Sequence, residues 1–174
     1  MLEEHDHEHD HEHALDRHTW LGQAPAKILA AHIRDTLCLL DSENAAFYSE
    51  QYDILVRDVD EEFDRLRIVL APLKGRSVFV YHPSFGYFLD EFGIHQDAVE
   101  TGGKEPGPRE LNYLVAKLKE ERAAALFVQT QFPVNAARTV AAAAGAEVIE
   151  LDPLAEDWLE NIRRMGQALQ KAAP

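Results

Sequence analysis

The chain has 174 residues, enough for one ordinary domain or a domain with an appendage. Its formal net charge of −14 excludes binding to nucleic-acid phosphates, which needs clustered Lys and Arg, and disfavours anionic membrane surfaces while suiting cations. The hydrophobic share of 46% is globular. No apolar run approaches the roughly 18 residues that cross a bilayer, so no direct membrane insertion is expected.

Residues 1–13 open the chain with His5, His7, His9, His11 and His13 alternating with Asp6, Glu8, Asp10 and Glu12. Such a tract cannot bury a core and reads as a disordered segment offering many weak, interchangeable metal chelates. This N-terminus is acidic rather than basic and then apolar, so it does not read as a signal peptide, and export would require a leader outside this chain. A junction and a helical linker follow over 14–74. Ile28, Ala31, Leu39 and Leu40 recur at helical spacing, and so do Tyr52, Leu55, Val59, Phe63, Leu66 and Leu70. Asp41-Ser42-Glu43-Asn44 interrupts the two series and offers N-cap residues. The second helix is expected to run for roughly 28 residues, with Arg57, Asp58, Asp60, Glu61, Asp64 and Arg65 on a solvated face. Cys38, the single cysteine, lies in an apolar helical stretch and reads as a small buried hydrophobe.

From Gly75 to residue 174 the pattern changes. SVFVYH, HQDAVETG, AALFVQ and EVIELD read as strands. Between and after them, PSFGYFLDEFGI, GPRELNYLVAKLKEER, PVNAARTVAAAAGA and EDWLENIRRMGQALQKAA read as helices. The alternation predicts an α/β lobe: a four-stranded, mostly parallel sheet flanked by helices and preceded by a long backbone helix. The Gly/Pro cluster at 101–110 fits no phosphate-binding motif and reads as a connecting loop.

In a parallel sheet the strand ends face one cleft. The first strand ends in Tyr81-His82-Pro83, the third in Val128-Gln129-Thr130, and the fourth in Leu151-Asp152-Pro153. An imidazole and a carboxylate at one edge form half of a zinc site, since Zn²⁺ accepts nitrogen and oxygen donors. Taken singly, a His after a strand is ordinarily a structural hydrogen-bonding group, and an Asp before Pro a turn or cap residue. His18, in LDRHTW, is the third candidate, although a His beside a Trp is ordinarily a packed surface residue. His32 and His95 read as structural or exposed.

These segments resemble, in order, the C-terminal part of the zinc/manganese-binding substrate-binding proteins of metal ABC transporters, the ZnuA/TroA-like family (periplasmic solute-binding protein cluster A-I). LDRHTWL resembles that family's Asp-Pro-His-x-Trp-Leu motif, and LDSENAAFYSEQYD the start of its backbone helix. LAPLKGRSVFVYHPSFGYFLDEFGI resembles the entry to its C-terminal lobe, and KEPGPRELNYLVAKLKEERAAALFVQTQF and GAEVIELDPL follow. The likeness covers about residues 14–165. Arg17 stands where the family usually has Pro, and Gln129 where many members have Glu. The His/Asp-rich tract resembles the flexible loop of the zinc-type branch. The family's N-terminal lobe, which carries another metal-binding histidine, would lie upstream of that loop.

The resemblance implies His18, His82 and Asp152 as ligands of one divalent ion, with His5, His7, His9, His11 and His13 as secondary weak ligands. Zinc is the expected ion, because imidazoles favour it over harder ions; manganese or another divalent transition metal stays open, and intrinsic affinity order also permits copper or nickel. The implied role is extracytoplasmic, periplasmic metal capture for the membrane permease of a metal ABC transporter, without catalysis. A small zinc hydrolase is disfavoured, since no general base stands near the candidate ligands. The alternative is a half-size interaction module or metallochaperone that forms a homodimer or pairs with a separate N-terminal lobe.

Overall fold

The computed structural model describes residues 16–98, 107–131 and 134–172. The tract histidines His5 to His13 and most of the 101–110 loop lie outside the described residues. After a 3-10 turn at Thr19–Leu21 come α1 (Gln23–Leu40) and α2 (Ala45–Val69). The alternating part then runs β1 (Ser77–Val80), α3 (Gly86–Asp90), β2 (His95–Ala98), α4 (Pro108–Glu120), β3 (Ala125–Gln129), α5 (Val134–Ala144), β4 (Glu147–Leu151) and α6 (Trp158–Lys171). All four strands pair in parallel, in the order β2-β1-β3-β4. The expected α/β sheet is therefore present, and it is parallel throughout.

Burial on both faces follows from the period of two along each strand. Val78, Val80, Ala125, Phe127 and Leu151 pack on one face with Phe63 and Leu66 of α2, Phe88 and Leu89 of α3, and Ile162, Met165 and Leu169 of α6. Phe79, Tyr81, Leu126 and Val128 pack on the other with Leu114 and Leu118 of α4 and Val140 of α5. At the crossing of α6 over α2, a Cβ on Gly166 would lie 2.2 Å from Leu66 Cδ2. No residue with a larger side chain lets the two helices approach so closely.

Two elements differ in extent from the sequence reading. The long helix has 25 residues, because Pro72 lacks the N–H that would extend it and a 3-10 turn at Ala71–Leu73 follows instead. The helix expected across 83–94 is a five-residue turn of helix, Gly86–Asp90, which closes at Gly93 with φ of +64°.

The charged face of α2 is only partly solvated. Asp60 accepts from Lys27 Nζ at 2.5 Å and Gln23 Nε2 at 2.7 Å, so the Lys27 ammonium holds its carboxyl below the usual carboxylate range. Glu62, one position from the predicted charged set, is buried and takes Arg65 at 2.5 Å and Arg163 at 3.1 Å, fastening α6 to α2. His32 and His95 are exposed. Cys38 is half-buried beside the Ala45 carbonyl, which Sγ reaches at 3.5 Å, rather than fully buried. Among the described residues no helix is long and apolar enough to cross a membrane.

Candidate metal site

The sheet order creates the cleft. The chain leaves β1 for β2 on one side and returns as β3 on the other, so the edge beyond the β1 and β3 carboxyl ends is the switch point where such sheets take ligands. His82 follows β1 there, and Gln129 ends β3 beside it. Gln129 is 1% exposed. Its amide nitrogen donates to the His82 carbonyl at 2.5 Å and to Ser84 Oγ at 2.7 Å, while its oxygen accepts from the His82 N–H at 3.3 Å. The carboxamide thus pairs with the His82 peptide groups as donor and acceptor at once, which an ionised Glu could not do.

His18 arrives from the opposite direction, on the segment preceding the Thr19–Leu21 turn. Asp16 Oδ1 accepts from the His18 N–H at 2.9 Å, an Asx-type turn, and lies 2.7 Å from His18 Nδ1. An ionised carboxylate only accepts, so Nδ1 carries a proton, and in the neutral ring Nε2 keeps its lone pair. The next turn is anchored at both ends of Trp20. Trp20 Nε1 donates to the Pro153 carbonyl at 2.8 Å, and Trp158 Nε1 donates to the Trp20 carbonyl at 2.8 Å.

This places the half-buried His18 ring between two others. Its centroid is 5.3 Å from the Trp20 ring and 5.2 Å from His82, the two imidazoles standing at 83°. Two imidazoles sharing one tetrahedral zinc, each Zn–N bond near 2 Å, need ring centres about 5 Å apart. The spacing fits the ion.

Asp152 follows β4, two strands from β1, an offset of roughly 9–10 Å at ordinary strand spacing. Its Oδ1 accepts from Gln131 Nε2 at 2.6 Å and from the Leu154 N–H at 2.9 Å, and its carbonyl accepts from Asn161 Nδ2 at 2.6 Å. Among the described residues, no three of His, Cys, Asp and Glu gather into a group able to hold a metal ion. The structure therefore brings His18 and His82 together and leaves Asp152 occupied by its own turn, on a segment tied to theirs through Trp20 and Pro153. Asp16 and the clamping role of Gln129 were not singled out from sequence. The spacing of Asp16 two residues before a His was the available signal for the first. The second depends on a partner 47 positions away.

A sequence model of the family described as "Zinc-uptake complex component A periplasmic", ZnuA, matches residues 1–172. The chain belongs to the ZnuA family. The high-affinity zinc uptake system protein ZnuA of Brucella abortus is 31% identical over 175 residues, covering 91% of this chain and 50% of that protein. The protein of the same name from Haemophilus influenzae is 26% identical over 141 residues, with coverages of 80% and 42%. A crystal structure of ZnuA matches with a TM-score of 0.88 at 32% identity, covering 92% of this chain and 63% of the other. A zinc-bound ZnuA deletion mutant matches at 0.86. The laminin-binding protein Lmb of Streptococcus agalactiae shares the fold, with a TM-score of 0.83 at 23% identity. The chain spans about half the length of the curated relatives it matches.

Proposed function

We propose that this ZnuA-family chain is the zinc-binding C-terminal portion of an extracytoplasmic metal-capture protein that delivers its ion to an ABC-transporter permease. The observation that carries the reading is the pair of imidazoles, His18 and His82, with ring centres 5.2 Å apart at a sheet switch point. They supply nitrogen. Asp152 supplies a carboxylate once its Oδ1 gives up Gln131, and water or a donor from another lobe completes four-coordination. In the proposed layout residues 1–13 gather ions weakly, 14–74 form the junction and helical linker, and 75–174 form the lobe. The role is capture and release, without turnover. Zinc is the cargo on the donor set, and manganese, which prefers oxygen donors, is the weaker competitor.

Calorimetry with zinc on the full chain and on a chain lacking residues 1–13 tests this division. The shortened chain is expected to bind fewer ions while keeping the tightest event. Both should bind less tightly in acid, because a protonated imidazole has no lone pair to donate. Loss of the tightest event on shortening would move the site into the tract.

A second reading, an interaction module that forms a homodimer or receives a separate N-terminal lobe, has one observation behind it. No residue of α1 is buried. Two adjoining apolar grooves of about 230 and 240 Å³ run along its seam with α2, sharing Ala30, Ile33 and Leu55. Leu39, Leu40, Ile33 and Phe47 stand more than half exposed around them, which is more apolar surface than a solitary helix pair ordinarily leaves in water. A dimer mass in size-exclusion chromatography that persists without zinc would favour this reading; a monomer would remove the homodimer.

A further inference from the structure

Gly86 opens α3, and the space where its side chain would be is taken by Asp16. A Cβ at this position would lie 2.7 Å from Asp16 Oδ2. The Gly86 backbone is not left-handed, so any L residue can adopt it without backbone strain. Conformation therefore gives no reason for glycine here, and room for the carboxylate does.

Neither side of this contact is free to yield. Asp16 is short, and its other oxygen already holds the His18 N–H and Nδ1 at 2.9 and 2.7 Å. The start of α3 is held in turn, since Phe85 N–H donates to Gln96 Oε1 on β2 at 2.8 Å. Gly86 also lies four residues beyond His82 on the same connection. Docking Asp16 against Gly86 thus joins the segment that carries His18 to the segment that carries His82.

We propose that Gly86 and Asp16 form a positioning pair that sets the His18–His82 spacing: the absent side chain at 86 admits the Asp16 carboxylate, which fixes the His18 ring with Nδ1 protonated and Nε2 open. Neither residue touches the ion; both act through His18. The proposal rests on the zinc-capture reading for its consequence, and on the metal-free protein for its geometry.

Gly86→Ala, Asp16→Ala and the double variant of the full chain test it, with zinc affinity measured by competition against a chromogenic chelator. Each single variant is expected to lose about 10–100-fold in affinity, the range for groups that orient a metal ligand. The double variant should bind no more weakly than Asp16→Ala, because once the carboxylate is gone a methyl at 86 meets only Gln96 Nε2 at 3.6 Å, an ordinary contact. The melting temperature of Gly86→Ala should fall no further than that of Asp16→Ala, since the methyl can do no more than expel the carboxylate. Long-range ¹H–¹⁵N spectra of the metal-free chain, with the ring neutral, should show His18 as the Nδ1–H tautomer in the wild type and a mixture in both single variants. Wild-type affinity in Gly86→Ala, multiplying losses in the double variant, or an unchanged tautomer would overturn the pair. A wild-type chain with no tight zinc site would instead sink the zinc-capture reading, and the tautomer spectra would still decide the positioning.

Discussion

Replacing His82 with Ala is expected to abolish the tight zinc event and leave the fold intact. The loss should exceed the roughly 100-fold that changes behind a ligand can cost, because a donor itself is removed. The backbone of the loop should stay in place, since Gln129 holds the residue by its peptide N–H and carbonyl rather than by its ring. His18→Ala should match it, because a tetrahedral ion left with one imidazole loses half of its nitrogen donors. Asp152→Asn should cost less: the carboxylate is engaged with Gln131 and the Leu154 N–H, so an ion recruits it only by displacing a hydrogen bond. Zinc titration followed by thermal unfolding gives an independent measurement, since an ion that binds only the folded chain raises the melting temperature with its concentration. That rise should vanish in His82→Ala and persist on deletion of residues 1–13. A His82→Ala chain that still binds zinc as tightly as the wild type would place the strong site elsewhere.

What could be read before the structure, and what could not, divides by the range of the interaction. Three of the strands were legible as short runs rich in apolar residues closed by a turn, the polar HQDA of β2 by its place between two helical segments, and their common edge followed from strand–helix alternation alone. His82 and Asp152 could be placed on that edge because each directly follows a strand. His18 needed the motif around it, since nothing in its own helix-free segment says that it will fold back over β1. The contacts that bring it there run from Trp20 to Pro153 and from Trp158 to Trp20, across more than a hundred positions, and leave no local period. Glu62 shows the same limit from the opposite side. On a helical wheel it falls beside Val59 and Leu66 on the buried face, and its charge is met there because Arg163 arrives from α6. The apolar positions of α1 marked it as a helix by their spacing, yet none of its residues is buried. Its residues are spaced as core residues are, and among the described residues α2 covers most of its apolar face.

The largest loss of stability from a single truncation is expected at Phe63, where Ala should cost about 3–5 kcal/mol. Phe63 is fully buried. Its ring stacks with Phe92 at 5.9 Å and 15° and with Trp158 at 6.5 Å and 25°, and meets Phe88 edge-on at 6.3 Å and 72°. These partners belong to two different segments, α3 with its closing turn and α6, so the void cannot close by the shift of one of them, and the cavity term adds to the lost transfer energy. Against a typical 5–15 kcal/mol for a domain this is a large fraction, and the melting temperature should fall by about 6–20 °C at the 2–4 °C per kcal/mol usual for chains of this size. Phe63→Leu should cost less than half as much, because most of the volume is kept. The same truncation should reach the site. Trp158 rests on Phe63 and holds the Trp20 carbonyl, and Trp20 lies against His18. Zinc affinity in Phe63→Ala should therefore drop several-fold while the fold persists, and urea unfolding monitored by the two tryptophans measures both effects in one sample. An unfolding free energy within about 1 kcal/mol of the wild type would mean that the aromatic cluster is not the centre of the core.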